Sequence, residues 1–313
     1  VSRRCLILAS PAVAASPRLR DRCQWLEQKL RLAGISVNVA AARDPDHARA
    51  LARAAAEMDV VIAAGGDGTV RAAATGLLEA NAAAALGLLP LGTGNDLADQ
   101  LGFHNEAASL AALLARQEQC LDVIEVEALA AAPDQPRQFA LLFAAVGFAP
   151  ALLACTGPRL KRWLGRSGCY TAGFFRALLR FQAPRLTVHT DGRRREGRFF
   201  HVCAGNSERA GGGVMRLSPG ARMDDGRLEL CLIEALSHWE VLRNFPRLLR
   251  GTFPGHPRVS YRPGRELVIR SEYPVPLALD GDVVGTTPVR FRVRPGALRV
   301  LVPPTARADG RRR

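Results

Sequence analysis

The chain has 313 residues, enough for two domains with separate cores. Hydrophobic residues make up 48% and charged residues 23%, a balance that excludes wholesale disorder. The net charge of +14 favours anionic partners such as nucleotide phosphates, an acidic membrane surface or nucleic acid, and only Lys29 and Lys161 among its cations are lysine.

In chain order, Leu6 to Ala9 predicts a short buried strand. Ser16-Pro17 then supplies an N-cap followed by proline at the first helical position, and Gly34 closes that helix. Ile35 to Val39 predicts a second strand and His47 to Glu57 an alanine-rich helix. Met58 to Ala64 is an apolar strand feeding the turn Gly65-Gly66-Asp67-Gly68-Thr69, with a helix beginning at Val70. A glycine turn from strand to helix exposes backbone N–H groups at a helix N-terminus, a ready anion site. Asp67 would repel phosphate there unless a metal ion stood between them, which points to a nucleotide triphosphate with magnesium. Leu86 to Leu89 predicts a fourth strand, followed by a second glycine turn, Pro90-Leu91-Gly92-Thr93-Gly94-Asn95-Asp96. Thr93 and Asn95 are candidate donors to phosphate or ribose, and Asn95-Asp96 a candidate helix cap.

This alternation predicts an α/β domain over residues 1–125, a parallel sheet with helices on both faces and ligand loops at the carboxyl ends of its strands. Beyond it the texture becomes β-rich. Strands are expected at Arg185 to Thr190, Arg198 to Ala204, Arg227 to Ile233, Leu267 to Ile269, Val289 to Val293 and Leu298 to Val302. They define a second domain over 126–302, read as a sandwich, whose last strands are free to return to the first domain. Residues 132–136 read as an exposed excursion and 303–313 as a disordered tail. From Phe139 to Thr156 about 18 residues carry no charge, near the lower limit for a membrane span. Gly147 and Pro150 interrupt them, so a strand, a Gly-Phe turn and a helix are expected instead.

The seven cysteines form no CxxC pair and no Cys/His cluster of zinc-site spacing, which fits reduced thiols in a cytoplasmic protein. No signal peptide is expected ahead of the first strand. Neither lysine follows a glycine, so there is no Walker A loop, and no VAIK-type lysine or GxSxG elbow occurs. Phosphate must then be held by backbone amides, hydroxyls, arginine and metal.

The two turns together, Gly65 to Thr69 and Leu91 to Ala98, resemble the catalytic domain of diacylglycerol kinases. The remainder resembles the bacterial soluble lipid kinases of that family, to which sphingosine and ceramide kinases also belong. Asn206 through Gly226, with Gly211-Gly212-Gly213 and Asp224-Asp225-Gly226, fits its second-domain signature, and Leu279-Asp280-Gly281-Asp282 its late catalytic turn. The resemblance implies a C-terminal β-sandwich and an ATP cleft between the domains. It assigns Gly65, Gly66, Asp67, Gly68 and Thr69 to nucleotide phosphates, flanked by Val70 and Arg71. Gly92, Thr93, Gly94 and Asn95 join them from the second turn. Asp282 stands where the family has its glutamate base, one methylene shorter, with Asp280 as the neighbouring alternative. Asp225, with the backbone carbonyls of Arg222 and Arg227, corresponds to a structural magnesium turn.

Some positions depart from the pattern: Ser10 replaces an asparagine, Arg71 another, and Ala41 a threonine. The expected activity is transfer of the γ-phosphoryl group of ATP, with Mg2+, to a hydroxyl of a lipid such as diacylglycerol. Asp67 and Asp282 are the catalytic candidates. The expected partner is a lipid substrate at a membrane surface, approached through Phe174 to Phe181 or Leu242 to Arg250, with a homodimer left open and nucleic acid excluded for lack of an aromatic-basic motif. Two alternatives stay open. One is an NAD kinase-like enzyme, although its Gly-Ser-Thr-Ala-Tyr segment is missing; the other is a catalytically weak lipid or nucleotide sensor.

Overall fold

A computed structural model describes residues 3–130, 137–156, 168–169, 171–209, 216, 218–250 and 255–304, with the side chains of 245–250 left aside. The chain forms two compact units, one of residues 1–121 with 296–313 and one of 122–295.

The first unit alternates strand and helix. Its elements are β1 (Arg4–Ala9), α1 (Pro11–Ala15), α2 (Pro17–Leu32), β2 (Ser36–Ala41), α3 (Pro45–Ala54), β3 (Val60–Gly65), α4 (Asp67–Glu79), β4 (Ala85–Pro90), α5 (Asp96–Gln100) and α6 (Glu106–Ala115). The strands run parallel in the order β2–β1–β3–β4, with Cys5 beside both Val37 and Val60, and Val60 beside Ala85. Every residue of β3 and β4 is buried, the signature of a parallel sheet covered on both faces. The helix starts follow sequence chemistry. Pro17 and Pro45 open α2 and α3, and Asp44 caps α3 by accepting the His47 N–H at 2.7 Å.

The second unit is antiparallel. β5 (Glu118–Ala128) leads into it and pairs with β6 (Gln138–Ala140). After these come β7 (Phe143–Gly147), α7 (Phe148–Ala154), a helical stretch at 171–178, β8 (Arg185–Thr190), β9 (Arg193–Gly205) and β10 (Leu228–Glu234). The helix His238–Arg250 is followed by β11 (Val259–Gly264), β12 (Glu266–Ser271), β13 (Pro276–Leu279), β14 (Asp282–Thr286) and β15 (Val289–Leu301). One layer runs β14–β13–β7–β9–β10–β11. The long β9 also pairs with β8 through its first half, and β8 continues through β12 to β15. Leu186, Leu267 and Phe291 from one layer meet Ala144, Leu230 and Leu279 from the other in a single apolar core. This is a β-sandwich.

Some element bounds differ from the sequence expectation, while other features agree with it. The two compact units divide at 121/122, inside β5, close to the boundary expected at 125/126. Residues 296–304 return to the first unit, where Val300 lies parallel to Leu86 and the Val302 N–H donates to the Gln117 carbonyl at 2.8 Å. The strands expected at Val289 and Leu298 are one strand, β15, and the strand expected from Arg198 begins at Arg193. The uncharged stretch from Phe139 divides into β6, β7 and α7, with Gly147 at φ +102° as the hinge. None of the described helices is long and apolar enough to cross a membrane. The expected excursion at 132–136, Gly211 to Gly213 and the tail from 305 lie outside the described residues.

Candidate functional site

In the first unit the carboxyl ends of three strands converge. Ser10, just past β1, donates its N–H to the Ala64 carbonyl at 2.9 Å, and Leu91, just past β4, donates to Gly65 at 2.9 Å. Gly66 is the N-cap of α4, which starts at Asp67. A helix leaves the N–H groups of its first turn without carbonyl partners inside the helix and carries a partial positive charge at that end. The sequence-predicted anion cradle is therefore a real helix N-terminus, with Gly66, Asp67, Gly68 and Thr69 all half-buried at its mouth.

The two glycine turns are joined through Asp67. One of its carboxylate oxygens accepts the Asn95 N–H at 2.8 Å and the other the Asp96 N–H at 2.7 Å. Asp67 thus caps α5 from a distant part of the chain. Burial pushes the Asp67 carboxyl above its ordinary value, against the pull of the Asn95 and Asp96 N–H groups. The glycines make this closure possible. A Cβ on Gly92 would lie 2.4 Å from the Gly66 Cα, and one on Gly94 would lie 2.2 Å from Asp67 Oδ2.

Other predicted residues take more limited roles. Asn95, with φ +59°, is the N-cap of α5, but its side chain folds back on its own turn: Oδ1 accepts the Gly92 N–H at 3.0 Å and Nδ2 donates to the Gly92 carbonyl at 2.9 Å. One Nδ2 hydrogen is thereby engaged, and the second remains the candidate donor to phosphate or ribose. Val70 is buried in the core, so only its backbone can face a ligand. Arg71 is half-buried within α4, Thr93 is exposed at the tip of the second turn, and Gly65 packs against the Thr69 side chain.

In the second unit, Asp280 and Asp282 flank the β13–β14 hairpin, with Gly281 at φ +96°. Asp280 accepts three backbone N–H groups, from Leu141 at 2.7 Å, Leu142 at 2.8 Å and Phe143 at 3.0 Å. A carboxylate held by three amides is an anchor for the turn, which removes Asp280 as the alternative base. Asp282 is exposed at the first position of β14.

The 222–227 turn is also tied down. Asp225 accepts the Arg227 N–H at 3.0 Å, and Arg222 Nε pairs with Asp224 at 3.2 Å. Gly226 donates to Asp122 Oδ2 at 2.6 Å, and the Met223 carbonyl accepts the Asp122 N–H at 2.7 Å. Burial and the Asp225 charge push the Glu229 carboxyl up to about 7. Among the described residues no cluster of three or more His, Cys, Asp or Glu side chains could hold a metal. The expected set, the Asp225 carboxylate with the backbone carbonyls of Arg222 and Arg227, is smaller than such a cluster.

A buried side chain, named from the sequence only as the start of the second-domain signature, connects the two turns. Asn206, 0% exposed, donates through Nδ2 to the carbonyls of Asp122 at 2.7 Å and Leu141 at 2.8 Å. The path from Gly226 through Asp122, Asn206 and Leu141 to Asp280 is continuous. Asp122 was readable as a lone acid inside the apolar run Leu121 to Ile124. Asn206 was marked as the first residue of the second-domain signature, but not as a link between turns.

Comparison with known proteins follows the same division. Residues 8–126 match the diacylglycerol kinase catalytic domain, and residues 159–302 match the YegS C-terminal NAD kinase beta sandwich-like domain. A "Probable lipid kinase YegS-like" protein of Pseudomonas aeruginosa PAO1 is 32% identical over 260 residues, covering 80% of this chain and 78% of its own. Its namesake in Pseudomonas fluorescens Pf-5 is 34% identical, covering 78% and 77%. A crystal structure of "a putative diacylglycerol kinase" from Bacillus anthracis Sterne shares the fold, with a TM-score of 0.78, 20% identity, and coverage of 97% of this chain and 98% of its own. With this order of domains and relatives above 30% identity over most of their length, the chain belongs to the YegS-like family of lipid kinases.

Proposed function

We propose that this chain phosphorylates a hydroxyl of a lipid such as diacylglycerol, with ATP as donor, while attached peripherally to a membrane from the cytoplasm. The observation that carries this reading is the pair of glycine turns locked together by Asp67 at the N-terminus of α4. The first-turn N–H groups of α4 receive the phosphates, aided by the helix dipole. Asp67 acts first as the clasp that keeps the second turn, with Thr93 at its tip, beside the first. Magnesium, when bound with ATP, supplies the charge that offsets the developing negative charge between the β and γ phosphates. Asp282 is the proposed proton acceptor for the lipid hydroxyl.

The membrane part of the proposal is supported by one surface. In the stretch from Phe174 to Phe181, Phe174, Ala177 and Leu178 are buried, while Phe175 and Leu179 are 45% and 77% exposed beside exposed Arg176 and Arg180. Exposed apolar groups interleaved with arginine suit the interface of an anionic bilayer.

The test is incubation of the purified chain with radiolabelled ATP, Mg2+ and vesicles containing diacylglycerol, phosphatidylglycerol or sphingosine, with NAD as a parallel acceptor. Label should enter a lipid and be lost in Asp282→Ala. Label in NAD alone would replace this reading with the NAD kinase-like one, and label in neither would favour a sensor.

A further inference from the structure

The sandwich of the second unit has an open cavity of about 370 Å³ whose lining includes the exposed Arg193, Arg195 and Arg262. Residues directly opposite one another on paired strands share a face. Arg195 on β9 lies opposite Val188, and Val188 belongs to the sandwich core. Arg193, two residues earlier, lies on that same face opposite Thr190. On the other layer Arg262 lies opposite Leu230 and Ser260 opposite Leu232, and both leucines are core residues. The inner faces of both layers therefore turn from apolar to arginine at this mouth, with Leu230 and Leu232 as its floor and Pro263 at its side.

Few acids offset these charges. Glu234 stands 3.8 Å from Arg195, and no carboxylate pairs with Arg193 or Arg262 among the described residues. Asp191, also on the rim, accepts the Arg265 N–H at 3.2 Å and so is already engaged in the β8–β9 turn. Three guanidinium groups sharing one pocket repel one another, and each offers a planar fork of donors matched to oxyanions. The size suits a headgroup-sized ligand.

We propose that this cavity is a binding site for a phosphate ester, gripped by Arg193, Arg195 and Arg262 with the Ser260 and Thr190 hydroxyls as neutral donors. It belongs to the sandwich alone and is separate from the glycine turns. The ligand is either a soluble phosphomonoester or the phosphate headgroup of an acidic lipid.

The experiment needs no nucleotide, so it stands or falls independently of the kinase reaction. Calorimetric titration with inorganic phosphate and glycerol 3-phosphate, and co-sedimentation with phosphatidylcholine vesicles with or without phosphatidic acid, are run on three proteins. These are the wild type, the double variant Arg193→Gln/Arg262→Gln, and a charge-matched control, Arg20→Gln/Arg53→Gln. Phosphate binding at the glycine turns is common to all three and cancels in the comparison. Loss of two charge-assisted contacts should weaken binding about tenfold or more in the double variant and not in the control. A difference with glycerol 3-phosphate identifies a soluble ligand, and one confined to phosphatidic acid vesicles identifies a lipid headgroup. If the double variant and control behave alike, or the wild type binds none of the probes, the proposal is overturned, and Arg262 serves only to keep the edge strand β11 from pairing with other chains.

Discussion

At the scale of single residues, Asp67 shows how one acid can hold two glycine turns together. Its two oxygens each hold one amide of the second turn, so Asp67→Asn keeps the shape but turns a donor toward an N–H group. This variant should lose about 1–3 kcal/mol of stability and bind ATP more weakly. Thermal unfolding and nucleotide titration check it, and wild-type values in both would remove the clasp role. His201 makes a different prediction. It is 6% exposed, its Nε2 meets no hydrogen-bond partner among the described residues, and burial pulls its pKa from 6.5 down to about 4. Below pH 6.5 the unfolded chain takes up a proton that the folded chain refuses. Proton linkage at His201 therefore costs nothing well above pH 6.5, and stability is lost as pH falls through 6.5 toward 4, by up to about 3 kcal/mol. Comparing unfolding midpoints of wild type and His201→Leu from pH 7 to 4 isolates this slope, which the variant should lack.

At the scale of elements, the parts of the fold set by local chemistry were legible. Ser16-Pro17, the apolar run into Gly65 and the alternation from Arg185 to Thr190 each describe a segment that needs no distant partner to be recognised. The site was legible where glycine marks a close approach, as at Gly66 and Gly92. What escaped were links across the sequence. Asn206 joins segments 84 and 65 residues away, and the amides that hold Asp280 lie 137 to 139 residues away. Periodicity carries no information at such separations. Asn206→Ala removes both donations and leaves two buried carbonyls without them, so it should destabilise the second unit by about 2–5 kcal/mol. Calorimetry would show it, and a change under about 1 kcal/mol would mean the two turns hold their places without that link.

At the scale of the whole molecule, charge governs which surfaces the protein meets. With a net charge of +14, attachment to vesicles should depend on acidic lipid and fall as salt rises from about 0.05 M to about 0.5 M, where screening shortens to a few ångströms. Co-sedimentation across that range tests it; salt-independent retention would point to the exposed Phe175 and Leu179 instead. The return of residues 296–304 to the first unit has a separate consequence for how the protein is made. Translation produces β1 to β4 before the second unit, yet the strand that lies beside β4 at Val300 follows the whole of that unit. The first unit is therefore completed only after the second has been made. Until residue 300 leaves the ribosome, β4 has an edge open to any strand that passes, and premature termination before Gly296 would leave it open for good.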